Sequence, residues 1–162
     1  MANNAMIWKG SVNGVEREMH IPPAMRLSEL LRDHLGLNGL KVSCEIGRCG
    51  SCMILLDGAA VNSCLLMAYQ CVGGEIITIE GLSDMDKEEA LHPVQQAFLE
   101  EGAFQCGYCT PGMLISSVSL LNENPNPSRE EIIDALSGNL CRCTGYGPIL
   151  RAVEKAAQSQ SN

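Results

Sequence analysis

The pattern of apolar and polar positions changes character halfway along the chain. Up to about residue 80 the apolar segments are short and largely strand-like. MIWKGSV and VEREMHI flank Asn13-Gly14, a dipeptide that tolerates two positive φ angles and closes a two-residue turn, so a hairpin is predicted over residues 5 to 21. Leu27, Leu30, Leu31 and Leu35 fall at i, i+3, i+4 and i+8, one stripe of a helix, and Gly36 follows as a left-handed stop. That helix needs a sheet on which to bury its stripe. MILLD at 53–57 and EIITIEG at 75–81, the second rich in β-branched residues, are the candidate further strands.

After Leu82 the stretch SDMDKEEALH is charged and has no apolar period, which reads as a linker over 83–91 between domains at 1–82 and 92–162. The remainder is helical. Pro93 to Gly102 carries a proline start and a glycine stop, and Thr110-Pro111 reads as cap and first turn of a helix that Pro125 and Pro127 end. Ser128 and Glu131 form a capping box ahead of a third helix, PILRAVEKAAQ makes a fourth, and the tail QSQSN is expected to fray. The fold class is therefore α+β: a small sheet domain followed by an all-α four-helix domain.

Two domains this small bury too little surface to be comfortable without a staple, and the chain has nine cysteines in 162 residues. The start, MANNAMIWKG, lacks a charged region followed by an apolar one, so nothing directs the thiols to a disulfide-forming compartment, and a cytoplasmic location is expected. No apolar run approaches the roughly 18 residues needed to cross a bilayer, so no membrane insertion is expected. Eleven basic against 19 acidic residues give a net charge of -8, the wrong sign for nucleic acid. The acidity reads as simple solubility. The six aromatics make no evident stacking platform, and there is no serine elbow, GxxxxGK[ST] or GxGxxG. His20, His34 and His92 are scattered and read as surface residues. No substrate site is visible.

Split at the linker, eight of the cysteines form two sets. Cys44, Cys49, Cys52 and Cys64 follow the C-x4-C-x2-C…C spacing of plant-type [2Fe-2S] proteins. Such a cluster with its four thiolates is an anion. It requires backbone N–H groups aimed at sulfur, and Gly47 and Gly50 let the chain wrap it. Cys106, Cys109, Cys141 and Cys143 pin together two loops next to helix N-termini, whose dipoles and free amides suit an anionic centre. Zinc also accepts four thiolates, and the second set read alone leaves it open. A thioredoxin-like role for Cys106-Gly107-Tyr108-Cys109 would need a βαβ setting that this helical half does not provide. Cys71 belongs to neither set and reads as a small core hydrophobe.

The stretches CEIGRCGSC, QCGYCTPGM and GNLCRCTGY, in this order and spacing, resemble the small iron-sulfur subunit of the molybdenum hydroxylases, the xanthine dehydrogenase and aldehyde oxidase family. The resemblance covers nearly the whole chain. Ser43 and Ser51 depart from the glycine and alanine usual in the family. The resemblance implies a β-grasp, plant-ferredoxin-like first domain and a four-helix second domain, each with one [2Fe-2S] cluster. It also implies an electron route from a molybdopterin (Mo) large subunit through both clusters to FAD in a medium subunit, with Gln105 and Cys143 near the pterin. A bacterial xanthine dehydrogenase is the expected holoenzyme. Aldehyde, nicotinate, carbon monoxide and aromatic-thioester enzymes, a free-standing ferredoxin-like carrier and a zinc-stapled scaffold are the alternatives.

Overall fold

A computed structural model describes residues 5–83 and 91–160. Asn13 and Gly14 both adopt left-handed φ, 52° and 76°. The turn they make joins β1 (Met6–Val12) to β2 (Val15–Ile21) in a register running from Met6↔Ile21 to Val12↔Val15. Along β1, Trp8 and Val12 point into the core, while β2 is exposed over most of its length. Glu16, Arg17 and Glu18 charge this outer strand, a device that discourages edge-to-edge pairing.

The five strands stand in the order β2-β1-β5-β3-β4, with β5 (Glu75–Ile77) parallel to β1 and every other pair antiparallel. A parallel pair needs a long crossover. Here the crossover contains a helix, the first cysteine loop and the hairpin of β3 (Met53–Leu56) and β4 (Ala59–Asn62). The sequence reading missed β4. Its signal is Asp57-Gly58, with φ 51° and 86°, the same hairpin chemistry as Asn13-Gly14 but followed by the weak strand former AAVN. The strand predicted over 75–81 is cut short after Ile77. Thr78 is buried, its N–H donates to Asn13 Oδ1 at 2.8 Å, and Ile79–Gly81 turns as a 3-10 helix.

The leucine stripe is helical as predicted, but it is wound in two pitches. α1 (Leu27–Glu29) passes into a π-helical turn, Leu30–His34, closed by Leu35 N–H donating to Leu30 O at 3.0 Å. The wider turn keeps Leu27, Leu30 and Leu31 buried against the sheet and leaves Leu35 half-buried. Gly36, at φ 72°, ends the segment.

The second half consists of α2 (Pro93–Glu100), α3 (Thr110–Glu123), α4 (Arg129–Ala135) and α5 (Gly147–Gln160). The predicted frayed tail instead continues α5 to Gln160, and the predicted linker at 83–91 lies largely outside the described residues. Ser128 and Glu131 form the expected box, with Ser128 N–H donating to Glu131 Oε2 at 2.6 Å. His92 is a correction. It caps α2, accepting from Val94 N–H at Nδ1 (3.3 Å), while Gln95 Oε1 accepts from its own N–H (3.0 Å). At α3 the cap falls on Cys109, and Thr110 is already helical with its hydroxyl buried without a protein partner. Among the described residues no helix is long and apolar enough to cross a membrane.

α3 is buried on nearly every side because it lies between the other helices and the β3–β4 face of the sheet. Its small residues make this possible. Ser119 Oγ accepts from the edge-strand amide of Ala60 at 3.2 Å, and a Cβ on Gly112 would overlap the carbonyl oxygen of Gly50 in the first cysteine loop. Gly112→Ala is therefore expected to cost about 1–3 kcal/mol, because the obstacle is backbone that cannot rotate away; denaturant unfolding checks this. Burial holds His92 below its ordinary value of 6.5, so the folded chain takes up fewer protons there than the unfolded chain. That contribution is present above about pH 6.5 and is lost as pH falls. His92→Asn keeps a capping oxygen, and its melting temperature should fall less than wild type between about pH 7.5 and pH 5.5.

Candidate metal centres

Cys44 and Cys49 lie on the loop between the π turn and β3, Cys52 directly before β3, and Cys64 in the 3-10 turn Ser63–Leu65 after β4. Around these cysteines the loop has left-handed residues at Glu45 (φ 56°), Gly47 (φ 73°) and Gly50 (φ 69°). This coiling turns amides onto sulfur: Arg48 N–H donates to Cys44 Sγ at 3.3 Å. The amides of Ile46, Arg48 and Cys49, Ile46 foremost, outweigh burial and lower the Cys44 thiol to about 6. Opposite it, burial chiefly pushes the Cys52 thiol up to about 12, with Cys64 beside it. Cys44 is thus the readier thiolate, and Cys52 the more reluctant one.

Cys106 and Cys109 precede α3, and Cys141 and Cys143 precede α5. The two loops meet: Cys143 Sγ lies 3.7 Å from Cys106 Sγ, and Cys109 and Cys141 are in hydrogen-bond contact. Burial chiefly raises the Cys109 thiol to about 12, and the Cys141 thiolate beside it adds to this. Cys141 goes the other way. Burial acts to raise it, but the Thr144 hydroxyl (3.1 Å), the Thr144 amide (3.5 Å) and the Cys143 amide together lower it. A cavity of about 540 Å³ is lined by this second set together with Ser43, Cys49, Tyr108 and Tyr146.

Within each set of four the thiols pair in twos: Cys44 with Cys49, Cys52 with Cys64, Cys106 with Cys143, and Cys109 with Cys141. Among the described residues no group of three or more His, Cys, Asp or Glu side chains converges as around a single metal ion. Gln105 and Cys143 are both exposed, beside exposed Cys106. His20 and His34 are exposed as expected. Cys71 is buried in the sheet core, with its Sγ 4.0 Å from Met67 O; burial, and then the Asp57 charge, raise its thiol.

The sequence reading missed the contacts that hold the two cysteine loops together. Leu140 N–H donates to Cys49 O at 2.9 Å, and Tyr108 OH donates to Val42 O at 2.8 Å. Buried Asn139 donates from Nδ2 to Gly50 O at 3.3 Å and accepts at Oδ1 from Ser116 at 2.9 Å. The only sequence signal for these is position, since Asn139 and Leu140 sit inside GNLCRCTGY.

The fold and these paired thiols define a two-domain iron-sulfur protein. A family described as "2Fe-2S iron-sulfur cluster binding domain" matches residues 11–75, and one described as "[2Fe-2S] binding domain" matches residues 78–154. The chain is 55% identical over 142 residues to a probable xanthine dehydrogenase subunit of Bacillus subtilis (strain 168), covering 88% of this chain and 80% of that one. Among solved structures, quinoline 2-oxidoreductase from Pseudomonas putida 86 matches with a TM-score of 0.91 at 45% identity, over 98% of both chains. Aldehyde oxidoreductase from Desulfovibrio gigas matches with a TM-score of 0.90 at 40% identity, over 96% of this chain but 17% of that one. The chain belongs to the family of small [2Fe-2S] subunits of the molybdenum hydroxylases, and is the iron-sulfur part of an oxidoreductase.

Cys71→Ser is expected to leave iron content unchanged. It should lower stability by about 1–3 kcal/mol, the cost of burying a hydroxyl where a weakly polar thiol sat, as read by iron assay and thermal melt.

Proposed function

We propose that Cys44, Cys49, Cys52 and Cys64 hold one [2Fe-2S] cluster and Cys106, Cys109, Cys141 and Cys143 a second, in domains that divide at about 1–82 and 92–162. The observation that carries this is the pairing of thiols in twos. A tetrahedral zinc draws four sulfurs about one point, whereas a two-iron rhomb takes two at each iron. When bound, each cluster supplies one-electron ferric/ferrous chemistry. The chain's own contribution is to hold the thiolates, meet their negative charge with amides from left-handed loops, and exclude water from Cys52 and Cys64, which are 2% and 3% exposed.

The partners we propose are a molybdopterin-binding large subunit and an FAD-binding medium subunit. Gln105 and Cys143, exposed next to Cys106, present the second set to the pterin. Ile46 and Leu65, exposed apolar residues over the first cysteine loop, present the first set toward the flavin side. The holoenzyme we favour is a cytoplasmic xanthine (purine) dehydrogenase, on the strength of the Bacillus subtilis relative. The other relatives include aldehyde and nicotinate enzymes, which are the runners-up.

The test is metal and sulfide analysis of anaerobically purified protein, with EPR after dithionite reduction. About four iron and four sulfide per chain and two S = 1/2 signals are expected, with molybdenum and FAD in the co-purifying complex. Zinc without sulfide would end the electron-transfer reading. A chain recovered alone with both clusters would make it a free carrier, and turnover of aldehydes but not purines would reassign the substrate.

A further inference from the structure

Tyr146 is a large non-glycine residue at φ 66°, a conformation that bulky side chains rarely adopt. The same residue has its hydroxyl in the second ligand loop. Cys141 N–H donates to Tyr146 Oη at 2.9 Å, and the Tyr146 hydroxyl donates to Asn139 O at 3.1 Å. Its own N–H donates to Thr144 Oγ1 at 3.2 Å, and its ring packs against the core of the helical half. The phenol therefore clips residues 139 and 141 from both sides of Leu140. Leu140 is the residue whose N–H reaches Cys49 O. The side chain of Leu140 is 55% exposed, so packing of that side chain does little to hold the amide in place.

Counted in bonds, Cys49 C=O···H–N Leu140 joins a residue of the first ligand set to the neighbour of Cys141 in the second. We propose that Tyr146 is the positioning residue for electron exchange between the two clusters: its hydroxyl fixes segment 139–141 so that the Leu140–Cys49 hydrogen bond stays closed. The left-handed backbone is the strain accepted to aim the hydroxyl back into the loop. In the exchange itself one iron goes from ferrous to ferric in one cluster and one from ferric to ferrous in the other. No bond or proton is moved, so the chain acts on the rate through contact and distance and, by the amides it aims at sulfur, through the potentials of the two sets. Asn139, whose Nδ2 grips Gly50 O, supports the same contact from its other side.

This inference rests on the ligand sets proposed above, and the experiment separates the two. In the full-length chain carrying its clusters, about four iron per chain and two EPR signals establish the ligand reading. Failure at that stage overturns both readings. In Tyr146→Phe the iron content is expected to stay the same. Protection of the Leu140 amide against hydrogen exchange should fall roughly tenfold, and equilibration of an electron injected by pulse radiolysis should slow by a similar factor. Unchanged equilibration with both clusters present overturns the proposal, even if the melting temperature drops, because a merely structural tyrosine would move only the latter. Should the phenylalanine chain load one cluster only, Asn139→Ala decides. It keeps the tyrosine and loses the Gly50 contact, so slower equilibration supports the clip and an unchanged rate overturns it.

Discussion

Two loops built to surround negative charge lie directly against each other, and the rest of the molecule is arranged to make that possible. Thiolates and the iron-sulfur centres they suit are anions, and a low-dielectric interior tolerates them only where amides and hydroxyls point at sulfur. Side chains would hold the amides away. Hence Glu45, Gly47 and Gly50 coil one loop, Gly107 (φ 78°) and Gly145 (φ 65°) relax the other, and Gly50 and Gly112 are bare where the loops and α3 touch. A Cβ on Gly50 would lie 2.6 Å from Gly138 O, so the contact is made by backbone and leaves little room for relaxation.

The thiols show how unevenly this environment is distributed. Cys44 and Cys141, turned toward amides and a hydroxyl, are lowered, whereas Cys52 and Cys109, turned toward apolar core, are raised to about 12. Each set thus combines a thiol held below its ordinary range with one held above it. On the ligand sets proposed above, metal binding and folding would be coupled through Cys52 and Cys109, which without a bound cation are held as neutral thiols by burial.

The surface divides along the same lines. The charged outer strand β2 and the ion pairs Arg151–Glu101 and Lys155–Glu100 between α2 and α5 are exposed, and contribute more to solubility than to stability. Among the exposed apolar residues, Ile46 and Leu65 lie at the first cysteine loop and Phe104, Tyr108 and Leu140 at the second. Apolar surface of this kind suits contact with a partner chain.

Much of this was legible in the order of residues, because the controlling interactions are local. Asn13-Gly14 dictated a hairpin through φ preferences alone, and Ser128 and Glu131 a helix start through two hydrogen bonds. β4 was within reach, since Asp57-Gly58 carries the same signal. The π turn at Leu30–His34 and the halt of β5 at Thr78 were not, because each answers to packing or to a partner set by the fold, and the local cap at His92 was missed because histidine is not among the preferred capping residues. The sequence by itself determined that there are two sets of four cysteines and on which elements they ride. Only the tertiary structure decided that Cys49 O meets Leu140 N–H, that Asn139 reaches Gly50, and that Tyr146 turns left-handed between them. The first two contacts join residues about 90 positions apart, and no local preference along the chain encodes such a distance.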